Sequence, residues 1–221
     1  MTSAEWADVD RYLVENLVAD PETAAVLTEN ERAGLPAIDV SAPQGKFLYL
    51  LARAAGVRRV LEIGTLGGYS TVWLARAVGK SGQVLTMEYE PRHAEVARAN
   101  LDRAGVGDRV EIRVGAALEN LPVLADEQPD PFDLVFLDAD KVNNPNYVRW
   151  ALRLTRPGSV VIVDNVVRQG GLADADSSDP AIRASREVVE LLSAEPRLDA
   201  TVVQTVGSKG WDGFAYALVL D

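Results

Sequence analysis

The sequence contains no cysteine and a single histidine, His93. The first absence excludes disulfides and thiol nucleophiles. Together the two exclude a structural zinc site and a histidine-centred triad. Any bound metal must be held by oxygen ligands, which points to Mg²⁺, Mn²⁺ or Ca²⁺. Basic residues are also short, with 22 Lys and Arg against 33 Asp and Glu and a net charge of −11. Nucleic-acid binders need a basic face, so no nucleic-acid partner is expected. The same balance weighs against a polyanionic substrate unless a local basic pocket overrides it. No apolar run approaches the ~20 residues of a spanning helix, so no membrane partner is expected. The first eight residues are acidic and lack the apolar stretch of a signal peptide, which leaves a cytoplasmic protein as the expectation. No linker-like tract or internal repeat interrupts the 221 residues, and 48% are hydrophobic. One domain over 1–221 is expected, with a helical extension at 1–40 and the core at 41–221.

What is present is an ordered rhythm. Trp6, Val9, Leu13 and Leu17 share one face at helical spacing. Asp20-Pro21 reads as an N-cap with proline in the first turn, and Gly34 as a stop. Ser41 to Gln44 resembles a capping box opening a helix to about Ala55, with Phe47, Leu48 and Leu51 inward. After Gly56, β-type runs alternate with helices. The runs are Val60–Ile63, Val84–Met87, Val110–Val114, Leu134–Leu137 and Val160–Val163. The helices begin near Tyr69, Pro91, Ala117 and Pro145. A helix at about Ala181–Ser193 and two strands, near Ala200–Val206 and Phe214–Leu220, follow. The segment Gly207–Gly213 joins those strands as a hairpin connection. This pattern predicts an α/β fold with a doubly wound, mostly parallel, seven-stranded sheet and an antiparallel edge.

Ligands of such sheets sit beyond the C-terminal strand ends. The first strand runs into Glu62-Ile-Gly64-Thr-Leu-Gly67-Gly68-Tyr69-Ser70, whose glycines allow close backbone approach in a tight turn. The spacing is neither the Gly-x-Gly-x-x-Gly of dinucleotide binders nor a phosphate loop, yet it suits a nucleoside. The bland alternative is a turn that only packs helix on sheet. Glu88 ends the second strand, roughly 20 residues beyond, where an acid accepts ribose hydroxyls. Asp138 ends the fourth strand, and Asp164 and Asn165 end the fifth. Two carboxylates and an amide oxygen suit a hard divalent cation, although each also caps helices well. Lys141 is the strong base candidate beside them, the alternative being a surface pair with Asp140. His93 reads as solvated. Trp150, Leu152 and Leu154 read as core, and Trp211 as either an edge-strand plug or a cavity wall.

With these motifs in place, the sequence resembles the cation-dependent class I O-methyltransferase family that includes catechol and caffeoyl-CoA O-methyltransferases. The likeness runs from the Ser41 helix to Asp212-Gly213. It implies that S-adenosyl-L-methionine is the cofactor. Glu62, Gly64, Tyr69 and Ser70 would line its methionine end, with Gly68 in the same turn. Glu88 would bind the ribose, and Ala117 would lie against the adenine. Asp138, Asp164 and Asn165 would bind a divalent cation, Mg²⁺ before Mn²⁺ or Ca²⁺, with Asp138 also near the cofactor. Lys141 would be the catalytic base. The resemblance further implies a homodimer formed through the N-terminal helices. Two stretches depart from relatives that act on plant phenylpropanoids. Asn144 stands where a tyrosine is usual, and the segment Arg168–Asp176 is acidic and glycine-rich.

The expected activity is methyl transfer to a hydroxyl of a small aromatic substrate, one of two vicinal hydroxyls on a ring. A nicotinamide-dependent oxidoreductase on a similar sheet, or a non-catalytic nucleoside-binding scaffold, are the alternatives from other classes.

Overall fold

The computed structural model describes residues 3–127 and 129–221. Met1 and Thr2, where the signal-peptide reading begins, lie outside them. Helix α1 (Ser3–Leu13) runs into one π turn, Val14–Val18, before α2 (Pro21–Arg32) and α3 (Ala42–Ala54). The Asp20 carboxylate caps α2 by accepting from the Glu22 and Thr23 amides at 3.1 and 2.9 Å, as its position before Pro21 predicts. Of the four residues that share one helical face, Trp6 and Leu13 are half-buried, whereas Val9 is 57% and Leu17 71% exposed. The wider π turn rotates the following side chains, so Val18 is buried in place of Leu17. Asp10 tethers α1 instead, its Oδ2 accepting from the Ser208 amide and hydroxyl at 2.7 and 2.9 Å. Phe47 also departs from expectation. It is 41% exposed and rests its ring 5.4 Å from Phe214, while Leu48 is buried.

Five parallel strands follow: β1 (Arg59–Ile63), β2 (Gln83–Glu88), β3 (Val110–Val114), β4 (Phe132–Leu137) and β5 (Thr155–Val163). A hairpin of β6 (Leu198–Gly207) and β7 (Gly210–Val219) completes a seven-stranded sheet in the order β3-β2-β1-β4-β5-β7-β6, with β7 antiparallel to both its neighbours. Helices α4 (Tyr69–Val78), α5 (Pro91–Arg103), α6 (Ala117–Asp126), α7 (Asn144–Leu154) and α8 (Pro180–Ala194) cover it.

Successive side chains of a strand point to opposite faces, and the central strands divide their apolar residues accordingly. Leu61, Ile63, Val135 and Leu137 pack with α6, α7 and α8. Val60, Leu134, Phe136 and Ile162 pack with α3, α4 and α5. Burial on both faces explains why these strands read as near-continuous apolar runs. Trp150 packs against the first of these cores with the Arg153 guanidinium 4.1 Å from its ring centroid. The hairpin loop is shorter than expected. Gly207 pairs with Gly210, so Trp211 belongs to β7 rather than to a loop. Gly210 supplies the left-handed residue, φ +94°, that closes so tight a connection.

Candidate functional site

The sheet order reverses between β1 and β4, and the crevice at that switch is where an open α/β sheet binds its ligand. A cavity of about 750 Å³ lies there, a size suited to a small-molecule site. Its walls come from the glycine turn, the ends of β2 and β4, the start of α6, the loop after β5 and the segment Ile38–Val40.

The glycine turn is held by close contact and by strain. Gly64 has φ +100°, and a Cβ there would lie 2.2 Å from the Asp138 carbonyl oxygen. A Cβ on Gly67 would lie 1.8 Å from Asn30 Oδ1. Leu66, at φ +48°, adopts a left-handed conformation that costs a non-glycine residue about 1–3 kcal/mol. Gly64, Tyr69 and Ser70 line the cavity, whereas Gly68 caps α4 at φ +85° without lining it.

Glu62 does not line the cavity either. It is fully buried beneath the turn, and its carboxylate accepts from Ser70 Oγ at 2.7 Å, Thr71 Oγ1 at 2.5 Å and Thr86 Oγ1 at 2.7 Å. Burial pushes its pKa up to about 7 against the pull of the three hydroxyls. The structure places it beneath Ser70, which lines the cavity and donates to its carboxylate. Alternation sets it on the face of Val60, toward α4, and a charged group tolerates that interior only with donors around it.

Glu88 is at the cavity wall. Its Oε2 accepts from the Thr65 and Leu66 amides at 3.1 and 2.7 Å, and its Oε1 from the Glu90 amide at 2.9 Å. His93, read from sequence as solvated, is instead part of the wall, with Nδ1 3.4 Å from Glu88 Oε1. Gly115 to Leu118, including Ala117, form the adjoining wall beyond β3.

At the β4 and β5 ends, Lys141 Nζ lies 2.5 Å from Asp138 Oδ1, so its ion-pair partner is Asp138 and not Asp140. Asp140 accepts from Tyr147 Oη and Asn143 Nδ2, each at 2.5 Å. Burial and then Asp140 push the Tyr147 phenol upward. Asp164 is buried behind the wall. Its Oδ2 accepts from Gln44 Nε2 at 2.7 Å and its Oδ1 from the Asn165 amide at 2.8 Å. Burial, followed by the nearby Asp138 charge, raises its pKa. Asn165 lines the cavity in a left-handed conformation, φ +57°, which asparagine tolerates better than most residues.

No group of three or more His, Cys, Asp or Glu converges among the described residues, so the candidate cation site is two carboxylates and an amide. That donor set fits a hard oxygen-loving cation, and the mutual repulsion of Asp138 and Asp164 favours a positive charge between them.

Several partners had no local signature in the sequence. Asn100 Nδ2 donates to Asn30 Oδ1 and to the Gly67 carbonyl, each at 2.9 Å, and Asn30 Nδ2 donates to Asp39 Oδ1 at 2.9 Å. This chain of amides ties α2 and α5 to the glycine turn and to Asp39 in the cavity wall. Gln44, which would complete the capping box, reaches Asp164 instead, while Ser41 Oγ still accepts from the Gln44 amide at 3.3 Å. Tyr147 and Arg168 also line the wall; they come from the two departing stretches, after Lys141 and after Asn165, that were expected to border the acceptor.

Comparison with known proteins bears on this arrangement. A catechol O-methyltransferase of Mycobacterium tuberculosis is 59% identical over 214 residues, covering 96% of this chain and 95% of its own. One from Niastella koreensis is 45% identical, covering 99% of this chain and all of its own. The crystal structure of an O-methyltransferase from Bacillus cereus in complex with SAH superposes with a TM-score of 0.97 at 52% identity, covering 99% of this chain and 100% of that one. The O-methyltransferase family profile matches residues 16–213. The fold, the relatives and the profile agree, and the chain belongs to the O-methyltransferase family.

Proposed function

We propose that this protein transfers the methyl group of S-adenosylmethionine to a hydroxyl of a small aromatic acceptor of the catechol type, with a divalent cation at Asp138, Asp164 and Asn165. The observation that carries the reading is the meeting of two half-sites in one cavity. The glycine turn and Glu88 border one end, and Asp138, Lys141 and Asn165 border the other. The catechol O-methyltransferase relatives and the SAH complex of the Bacillus cereus protein support it.

In this reading Glu88 accepts from the ribose hydroxyls, Ala117 lies against the adenine, and Tyr69 and Ser70 hold the methionine end. Glu62 works from below by fixing Ser70. The acceptor oxygen attacks the methyl carbon, the carbon–sulfur bond breaks with its electron pair passing to sulfur, and the hydroxyl proton goes to Lys141 Nζ. A divalent cation in the site supplies charge stabilisation for the developing phenolate. A cation held there would compete with Lys141 for Asp138, its ion-pair partner. Holding the oxygen in line with the methyl carbon is the larger part of the protein's task, since no covalent intermediate is needed. Methyl transfer to catechol is expected to disappear on EDTA treatment and to return with Mg²⁺. Full activity after verified metal removal would sink the cation assignment.

The reading includes a homodimer through the N-terminal helices. Val9, Tyr12 and Leu17 form an exposed apolar surface on the α1 segment, with no partner among the described residues. Sedimentation equilibrium at micromolar concentration is expected to give twice the 23.8 kDa chain mass; a monomer mass throughout would overturn the dimer. No helix among the described residues is long and apolar enough to cross a membrane.

A further inference from the structure

The acceptor end of the cavity holds one charge that nothing among the described residues answers. Five acids line the cavity, Asp39, Glu88, Glu90, Asp138 and Asp140, against three basic residues, His93, Lys141 and Arg168. His93 faces Glu88 at 3.4 Å and Lys141 pairs with Asp138 at 2.5 Å. Arg168 is half-buried, and its guanidinium makes no ion pair and no hydrogen bond among the described residues. It stands unpaired in an acidic cavity of a protein with net charge −11.

The backbone that presents it is built for the purpose. Arg168, Gln169 and Gly170 are three consecutive left-handed residues, at φ +54°, +54° and +88°. Asp212 Oδ1 holds that loop by accepting from the Val167 and Arg168 amides at 3.1 and 2.9 Å and from the Gly213 amide at 2.9 Å. The Trp211 ring lies against Gly170, close enough that a Cβ there would come within 2.8 Å of it, and Trp211 Nε1 donates to Gln204 Oε1 at 3.0 Å. Strained backbone held by surrounding contacts is characteristic of ligand clamps. Here the β6–β7 hairpin provides the contacts, and Arg168 is the side chain carried to the wall beside Asn165 and Lys141.

We infer that Arg168 is an anion subsite of the acceptor end, and that the preferred acceptor is a catechol-type phenol bearing a carboxylate. The inference rests on the acceptor assignment made under the proposed function. A guanidinium offers two parallel N–H donors that match a carboxylate in its plane. The negative field of the whole chain repels a free anion, so a local cation is required for one to dock. A phosphate on a larger carrier presents similar oxygens, and the choice between the two is experimental.

The test compares 3,4-dihydroxybenzoate with its uncharged amide, under Mg²⁺, for the wild-type protein and for Arg168→Met. The readout is the ratio of kcat/KM values for acid and amide, in which any general loss of activity cancels. The wild type is expected to favour the acid, and Arg168→Met to reduce that ratio by about tenfold to a hundredfold, the size of a lost charge-assisted hydrogen-bond pair. Arg168→Lys should recover part of it. An unchanged ratio in Arg168→Met, or a wild type that favours the amide, overturns the inference and leaves the acceptor reading intact. Preference for a CoA thioester of the same phenol over the free acid would assign Arg168 to phosphate and overturn the carboxylate. If the variants do not fold, the wild type still decides. The KM for the acid must rise with added salt more than that for the amide, and equal salt dependence refutes the subsite. A wild type that methylates neither acid, amide nor catechol would overturn the acceptor reading and this inference together.

Discussion

At the β1–β2 end of the cavity the Glu62 and Glu88 carboxylates are each held by three donors of the protein, whereas the β4–β5 end brings two carboxylates near each other and includes a guanidinium with no partner among the described residues. Three hydroxyls surround the Glu62 carboxylate and three amides hold that of Glu88. Across the cavity, Asp138 and Asp164 repel each other, Lys141 has only Asp138, and Arg168 is unpaired among the described residues. The difference separates two kinds of preorganisation. The first end is a finished mould whose binding energy comes from shape and from hydrogen bonds already aimed. The second holds like charges near each other, a tension that the cation of the proposed function would relieve.

The contrast can be broken most severely at Asp164. Asp164→Asn keeps the shape of the side chain and removes the charge, so kcat/KM with catechol is expected to fall by at least about a hundredfold. Its Tm should hold, because burial and Asp138 already oppose that charge. Asp140→Asn should cost within about tenfold by comparison, since Asp140 serves Tyr147 and Asn143. Equal losses in the two would show that the cation ligands are misplaced.

The next effect belongs to the moulded end. Gly64→Ala puts a Cβ 2.2 Å from the Asp138 carbonyl at φ +100°. A loss of about 2 kcal/mol or more is expected, seen as a Tm drop of at least about 4 °C together with weakened S-adenosylhomocysteine binding. A variant with wild-type Tm and affinity would mean the turn is more compliant than its contacts imply.

The smallest effect is a pH dependence at Glu62. Its folded pKa of about 7 lies above the ordinary value of 4.5, so the native state binds the extra proton between those pH values. Stability attributable to this group therefore falls as pH rises from about 4.5 to 7 and is level above, by at most about 3 kcal/mol. Glu62→Gln should flatten that part of the Tm–pH curve. An unchanged curve would place the ionisation elsewhere.

Legibility in the sequence divides along the same line. The glycine turn, Glu88, Asp138, Asp164 and Asn165 are each readable because a strand end, a turn and the residue beyond it are local, and the sheet class then says where strand ends meet. Their supports are not. Asn30 and Asn100 lie 70 residues apart, and Gln44 and Asp164 lie 120 apart. An asparagine in one helix carries no mark of the carbonyl it will meet in another. The π turn after α1 is equally unannounced: it shifts the helical period so that Val18 rather than Leu17 is buried, and no composition rule signals it. His93 shows the reverse error. A histidine after Pro91 looks solvated until β2 and α5 are placed, after which it stands against Glu88.

The amino-acid sequence by itself determined the order of strands and helices, the tight turn and the acids at the strand ends, because these depend on backbone propensity and short-range pattern. Only the tertiary structure decided which of those groups touch the cavity, which are buried as supports, and that Arg168 is left without a partner among the described residues. Those outcomes depend on what the chain brings beside each side chain from far away, and the cost of burying a charge is set by those neighbours rather than by the residue itself.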